Sequence, residues 1–329
     1  MTDDQKKLID DAKHILVIQA ENPDGDSLGS SIALESILSE LGKKVTMYCP
    51  VQIPRYLRFV SGWDRVTDNY DTTADLAIIV DTVSDTLISK VLEVPHAKHH
   101  LETHPVIVLD HHEAVESSLP FPHELVIGTT AVATGELIYE LVKKFDWPLD
   151  VAGAQALYSS IMADSLGLTT QTTTAASIHA IAELVERGVV PSEMEARRRE
   201  FMKKSPEILE YKGKLIERIA YYCDGALALV HIPWEDIQAY SDQYNPSMLV
   251  LDEMRLVEGV EVAVALKTYP DGKITGKIRS NIPVAETIAG YFGGGGHHYA
   301  AGFRAYENVE KITSELLDAT NKALETSRA

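Results

Sequence analysis

The sequence predicts an α/β protein with a mostly parallel sheet in its N-terminal domain, a helical linker, and a smaller α+β domain after it. Three observations predict this. Four short apolar runs at 15–18, 45–48, 76–80 and 106–109 are rich in Val and Ile and do not alternate, the pattern of strands covered on both faces. A segment of helical spacing separates the first two runs. Beyond about residue 223 the pattern changes to strands joined by turn signals.

The elements follow in order. Residues 1–13 read as a polar helix, and the run at 15–18 is the first strand. Ile32, Leu34, Ile37, Leu38 and Leu41 keep helical spacing across 28–41, and Gly42 stops that helix. Strand, helix and strand in this order make a right-handed crossover unit. Further helices are predicted at 133–144, 151–162 and 174–187. The segment 191–219, with its charge-dense stretch 193–204, reads as solvated helix and makes 191–222 a helical linker. In the second domain, 226–232 and 260–267 are strand-like, Asp271-Gly272 is a turn between 262–268 and 273–280, and 309–326 is an amphipathic helix. The predicted domains are therefore 1–190 and 223–329.

Composition narrows the function. The chain has 329 residues, with 49 acidic and 30 basic side chains giving a formal net charge of −19. That balance disfavours clamping a long duplex, because non-specific affinity for nucleic acid comes from Lys and Arg neutralising phosphates. A short anionic substrate remains compatible if a metal or a local basic patch receives it. Two cysteines, Cys49 and Cys223, exclude a disulfide framework and a four-thiolate zinc site. No stretch approaches the roughly 20 apolar residues of a membrane span, and 1–13 lacks the apolar core of a secretory signal, so a cytoplasmic location is expected.

The informative feature is what ends the strands. The first runs into Asn22-Pro23-Asp24-Gly25-Asp26, the third ends at Asp81, and the fourth ends at Asp110-His111-His112. In an open parallel sheet the ligand crevice lies at the carboxyl ends of the strands, so these groups converge there. Asp164 adds a fourth acid after an apolar helix. Singly, each has a plain structural explanation, such as a helix cap or a turn. Together, crowded carboxylates repel one another and raise each other's pKa unless cations lie between them. Carboxylate mixed with imidazole suits Mn²⁺, Mg²⁺, Fe²⁺ or Zn²⁺ better than Ca²⁺. Two such ions sharing a carboxylate, about 3.5–4 Å apart, would serve phosphoryl displacement. The second domain supplies Gly293 to Gly296, then His297, His298 and Tyr299, then Ala300-Ala301-Gly302, expected as an anion-binding loop. Arg279-Ser280 ends the preceding strand and offers a guanidinium to a phosphate or carboxylate.

In this order the motifs resemble the DHH phosphoesterase family with its DHH-associated C-terminal domain, a group of RecJ-like nucleases, oligoribonucleases, pAp phosphatases and cyclic-dinucleotide phosphodiesterases. Residues 22–30, 80–82, 110–112 and 163–167 look like its four N-terminal motifs, and 279–280 with 293–302 look like the signature of the associated domain. The short two-domain layout is most similar to the oligoribonuclease and pAp-phosphatase branch. The resemblance implies Mn²⁺, with Mg²⁺ an alternative, in one or two sites. Asp24 and Asp81 would hold one ion; Asp26, Asp81, His111 and Asp164 would hold the other, with Asp81 shared. Asp110 would orient the ligands and His112 would touch the scissile phosphate. Arg279, Ser280, His297 and the backbone of Gly294, Gly295 and Gly296 would bind the terminal phosphate or nucleotide of short single-stranded RNA or of a small nucleotide. Such proteins often pair through the α/β domain, so a homodimer is implied as well.

One position departs from the family pattern, which places a His three residues before the motif proline; here that residue is Ala20. Methyl coordinates nothing. Three readings stay open: a complete centre with Glu21 substituting, a one-metal enzyme of reduced or changed activity, or a nucleotide-binding protein without catalysis. A phosphoanhydride hydrolase shares the metal chemistry but fits the glycine-rich tail less well.

Overall fold

The structure is a computed structural model that describes residues 1–112, 116–241 and 243–328, with His297 described by its backbone alone. The chain divides into two compact units, Met1–Lys203 and Lys204–Ala329.

The first unit begins with α1 (Asp3–Asp11) and continues through β1 (His14–Ile18), α2 (Gly25–Glu40), β2 (Lys44–Tyr48), β3 (Leu76–Val80), α3 (Ser89–Glu93), α4 (Ala97–Thr103), β4 (Val106–Asp110), β5 (Glu124–Ile127), α5 (Thr134–Phe145), α6 (Val151–Asp164), α7 (Ala175–Glu186) and α8 (Pro191–Phe201). Its five strands form a parallel sheet in the order β2-β1-β3-β4-β5. The strand order reverses between β1 and β3, which makes their carboxyl ends the expected ligand crevice. Every residue of β1, β3 and β4 is buried, as their unbroken apolar runs require. Ile15, Val17, Ile78, Val80 and Leu109 face the core shared with α2, α5 and α6; Leu16, Ile18, Ile79 and Val108 face α3 and α4.

Helix α2 lies against α6 and is buried along most of its length. Glycines make that approach feasible. A Cβ at Gly25 would come within 2.4 Å of the Ala163 Cβ, and one at Gly29 within 2.6 Å of the Ala156 carbonyl oxygen. Strand β5 was not expected from sequence: it is a sheet edge with three of four residues exposed, so it carries no continuous apolar run.

The second unit contains α9 (Pro206–Glu217), β6 (Ala220–Tyr222), β7 (Leu227–Ile232), α10 (Trp234–Tyr240), α11 (Leu251–Arg255), β8 (Val262–Thr268), β9 (Ile274–Ser280), α12 (Ala285–Tyr291), β10 (Gly295–His297), β11 (Ala300–Ala305) and α13 (Val309–Arg328). Its sheet runs β10-β11-β9-β8-β7-β6, antiparallel throughout except for the parallel pair β7 and β8. One face packs Val264, Leu266, Ile278 and Phe303 under α12 and α13. The other packs Val230, Ala263 and Ala265 under α9, α10 and α11. The helical stretch 191–222 is divided: α8 belongs to the first unit, while α9 and β6 belong to the second. The glycine run expected as a loop is instead built into a β-hairpin, because Gly295 and Gly296 pair with Gly302 and Ala301.

Candidate metal centre and anion-binding face

Asp26 occupies the first turn of α2 and is almost completely buried, yet its carboxylate is well supplied with donors. Ser30 Oγ (3.0 Å), Ser160 Oγ (2.6 Å) and the Gly135 amide (3.2 Å) reach Oδ1, and the Thr134 amide reaches Oδ2 at 2.7 Å. Thr134 and Gly135 open α5, whose N-cap residue Ala133 has no capping side chain, so Asp26 caps that helix from another element. This fixes a charged oxygen pair at the sheet's carboxyl edge.

Asp81 follows β3 with a left-handed φ of 64°, and its amide continues the ladder by donating to the Leu109 carbonyl at 2.8 Å. Aspartate tolerates that conformation better than a bulky or β-branched residue would. It does not cap a helix, the structural role an Asp at a strand end commonly takes. Its Oδ1 accepts from Thr134 Oγ1 at 3.3 Å.

His111 sits over these acids. Its Nδ1 donates to the Ala131 carbonyl at 3.3 Å, which turns Nε2 toward Asp26 Oδ2 (3.7 Å), Asp81 Oδ1 (3.7 Å) and Asp164 Oδ2 (3.4 Å). Asp26, His111 and Asp164 each present one ligand atom within 4.8 Å of the others, and so do Asp81, His111 and His112. Two potential coordinating groups therefore share one imidazole. Asp110 Oδ1 accepts from both the His112 amide at 3.1 Å and His112 Nδ1 at 2.6 Å, locking that ring.

The electrostatics match a cation site. Burial, then the charges of Asp26, Asp24, Asp164 and Asp110, push the Asp81 carboxyl well above its usual value. Burial, followed by Asp26 and Asp24, raises Asp164 to about 8. Burial also pushes Asp110 up, but the bond and charge of His112 outweigh it and the group ends below its ordinary value. Burial pulls His112 down, and Asp110 more than restores it, so the imidazolium is favoured. Carboxylates that repel each other around an imidazole nitrogen fit a divalent cation.

Asp24 is placed differently from the other expected ligands. It is the N-cap of α2, with Oδ1 accepting from the Ser27 amide at 2.9 Å and the Ser27 hydroxyl at 3.1 Å. It retains solvent access, while crowding by protein and the charge of Asp26 raise its pKa. Ala20 is buried, and its carbonyl accepts from Cys49 Sγ at 3.6 Å. Glu21 is committed elsewhere: its Oε2 accepts from Ser89 Oγ at 2.8 Å and the Lys90 amide at 3.1 Å, at the start of α3.

In the second unit, Arg279 is half-buried, and Nη1 donates to the Ile278 carbonyl at 3.0 Å. Ser280 is buried and bonded within the hairpin: its amide donates to the Tyr299 carbonyl at 3.0 Å and its hydroxyl to that of His298 at 3.3 Å. It therefore steadies the hairpin beside Arg279. A Cβ at Gly294 would lie 2.2 Å from the Gly302 carbonyl oxygen, and Gly296 has a φ of 144°, so both positions demand glycine. Gly295 opens onto free space. The side chain of His297 lies outside the described residues.

Sequence reasoning missed the donors around Asp26 and the carbonyl behind His111. A signal existed for part of this: Ser30 follows Asp26 by one helical turn, and Ser160 interrupts an apolar helix, both at inward positions.

Residues 14–164 match the family model described as "DHH family, N-terminal domain", and 241–326 match the "DHHA1 domain". The chain is 29% identical over 310 residues to the "Bifunctional oligoribonuclease and PAP phosphatase NrnA" of Thermus thermophilus, covering 91% of this chain and 89% of that one. It is 24% identical to the protein of the same name from Bacillus subtilis, covering 92% and 93% respectively. A crystal structure of an exopolyphosphatase-related protein from Bacteroides fragilis superposes with a TM-score of 0.84 at 21% identity, covering 99% of this chain and 97% of that one, and shares the fold.

Proposed function

The chain belongs to the DHH family, and from that premise we propose that it is a phosphoesterase acting in the cytoplasm on short RNA oligonucleotides or small nucleotides such as pAp. The convergence of Asp26, Asp81 and Asp164 on His111 Nε2 carries this reading. These four side chains would hold Mn²⁺, with Asp24 completing a second site. A bound divalent ion supplies charge to offset the phosphoryl oxygens and acidity to the attacking water. The remaining work belongs to the chain. His112, charged and steadied by Asp110, hydrogen-bonds a phosphoryl oxygen. Asp26, fixed by four donors, keeps the ligands in register. Water oxygen bonds to phosphorus, the ester P–O bond breaks, and the leaving oxygen takes up a proton. In the second unit, Arg279 and the Gly294–Gly296 backbone would offer donors to a phosphate of a nucleotide.

The test is turnover by the full chain with Mn²⁺. It should release nucleoside monophosphate from a 5′-phosphorylated dinucleotide and phosphate from pAp. Asn is well tolerated at positive φ, so Asp81→Asn should leave the fold intact and reduce turnover to background. Full activity in that variant would overturn the assignment.

Ala20 favours a second reading, a nucleotide-binding protein with impaired catalysis. Glu21 Oε2 already accepts from Ser89 Oγ and the Lys90 amide, which holds this side chain at the start of α3 and argues against its substituting for the missing imidazole. Calorimetry separates the two: nucleotide binding without turnover under Mn²⁺ and Mg²⁺ supports the second, and measurable turnover removes it.

A further inference from the structure

Glu136 is an acid outside the cluster around His111, yet it is only 2% exposed. It stands at the third position of α5, the helix whose first two amides hold Asp26. A glutamate there commonly reaches back to the amide of the N-cap residue. This one reaches one residue further. Its Oε2 accepts from the Val132 amide at 2.7 Å and from Ser177 Oγ, in the first turn of α7, at 2.9 Å. Both donors are neutral, and burying a carboxylate on neutral donors is costly.

The segment that Glu136 grips carries no polar side chain of its own. Ala131, Val132 and Ala133 are all buried, and the Ala131 amide closes a turn on the Gly128 carbonyl at 2.9 Å. The Val132 N–H and the Ala131 carbonyl belong to one planar peptide group, so fixing the direction of one fixes the other. That carbonyl is the acceptor for His111 Nδ1 at 3.3 Å. A negative charge on the N–H also polarises the group and makes its oxygen a better acceptor. The first turn of α5 therefore serves two of the clustered side chains: its amides hold Asp26, and its third side chain holds the peptide behind His111.

We infer that Glu136 is a positioning residue for the metal centre, acting through the peptide between Ala131 and Val132 to fix the His111 ring with Nε2 toward Asp26, Asp81 and Asp164. This rests on the metal-centre reading above, but its first readout needs neither metal nor turnover.

That readout is the proton on His111 Nδ1, followed by ¹H–¹⁵N NMR of the full chain in EDTA and assigned by its loss in His111→Gln. Wild type should show this proton protected from exchange. In Glu136→Ala it should exchange about fivefold or more faster, and Glu136→Gln, which keeps an oxygen for Val132, should restore the protection. Calorimetric Mn²⁺ affinity should fall about tenfold in Glu136→Ala and recover in Glu136→Gln. Ser177→Ala separates positioning from stability, since it removes the other donor to Glu136 together with the capping box of α7. It should lower Tm and leave the Nδ1 proton protected. A wild-type His111 with no proton on Nδ1 overturns the inference without any variant. So does protection unmoved by Glu136→Ala, or lost equally in Ser177→Ala. Hydrolysis can fail while this coupling stands, and the coupling can fail while hydrolysis stands.

Discussion

Replacing Gly29 by Ala tests whether helix packing sets the geometry of the proposed metal ligands. On an ordinary helix the change stabilises by about 1 kcal/mol, because alanine loses less backbone entropy than glycine. Here the new Cβ would sit 2.6 Å from the Ala156 carbonyl oxygen and 2.9 Å from both the amide nitrogen and the Cβ of Ser160. Ordinary contact starts near 3.4 Å, so α2 and α6 must separate by about 0.8 Å, and two of the three obstacles are backbone atoms that cannot swing away. Overpacking of this kind costs about 1–3 kcal/mol. The net result is a destabilisation of up to about 2 kcal/mol, or up to several degrees in Tm for a domain of this size. The same displacement acts on the site. Ser160 Oγ lies 2.6 Å from Asp26 Oδ1, and Asp164 ends the helix that moves. An opening of about 0.8 Å leaves that hydrogen bond at the limit of usefulness and spreads ligands that a metal requires within about 0.2 Å. Mn²⁺ affinity should therefore fall at least about tenfold. Thermal melts in EDTA and calorimetric titration with Mn²⁺ measure both effects. A more stable Gly29→Ala protein with unchanged Mn²⁺ affinity would refute the link between packing and ligand geometry.

Other outcomes follow from the same contacts. Ser160→Ala removes one of four donors to Asp26 and should weaken Mn²⁺ binding about tenfold, measured by the same titration, with little change expected in nucleotide affinity in EDTA. Without metal, burial and the charges of Asp26 and Asp24 push the Asp164 carboxyl up to about 8, well above the ordinary carboxyl range, and Asp81 is raised as well. A raised carboxyl contributes stability that is fully present below its unfolded pKa and lost as pH rises through the folded one. Tm in EDTA should accordingly fall between about pH 4 and 8, and Mn²⁺ should restore it most at the alkaline end; a Tm that climbs across that range in EDTA would contradict this. Gln19 is fully buried, and both its amide atoms lack a partner among the described residues, so Gln19→Met should raise stability by about 1–3 kcal/mol in a denaturant titration. Ala20→His should increase Mn²⁺ affinity or stoichiometry if the missing imidazole limits the centre; identical isotherms would show that it does not.

Much of the fold was legible where burial is two-sided. The four apolar runs became β1 to β4, and the residues that end them delivered Asp26, Asp81, His111 and Asp110 to one edge of the sheet. Strand β5 was hidden because an exposed edge imposes no hydrophobic period. Short helices such as α3 and α11 span five residues each and are too brief to establish a 3.6-residue repeat. The hairpin of β10 and β11 looked like a loop because its glycines are required by close backbone approach, and glycine-rich strands and flexible turns share a composition. In the site, which side chains gather at the strand ends was readable, whereas their orientation was not. The positive φ of Asp81, the Ala131 carbonyl behind His111 and the commitment of Glu21 to Ser89 depend on contacts between segments far apart in the chain.

The most direct measurement is anomalous scattering at the manganese edge from crystals of the full chain grown with Mn²⁺. A peak flanked by Asp26, Asp81, His111 and Asp164 is the predicted result. A pocket without anomalous signal, its four side chains turned away from one another, would contradict the metal centre on which the proposed hydrolysis depends.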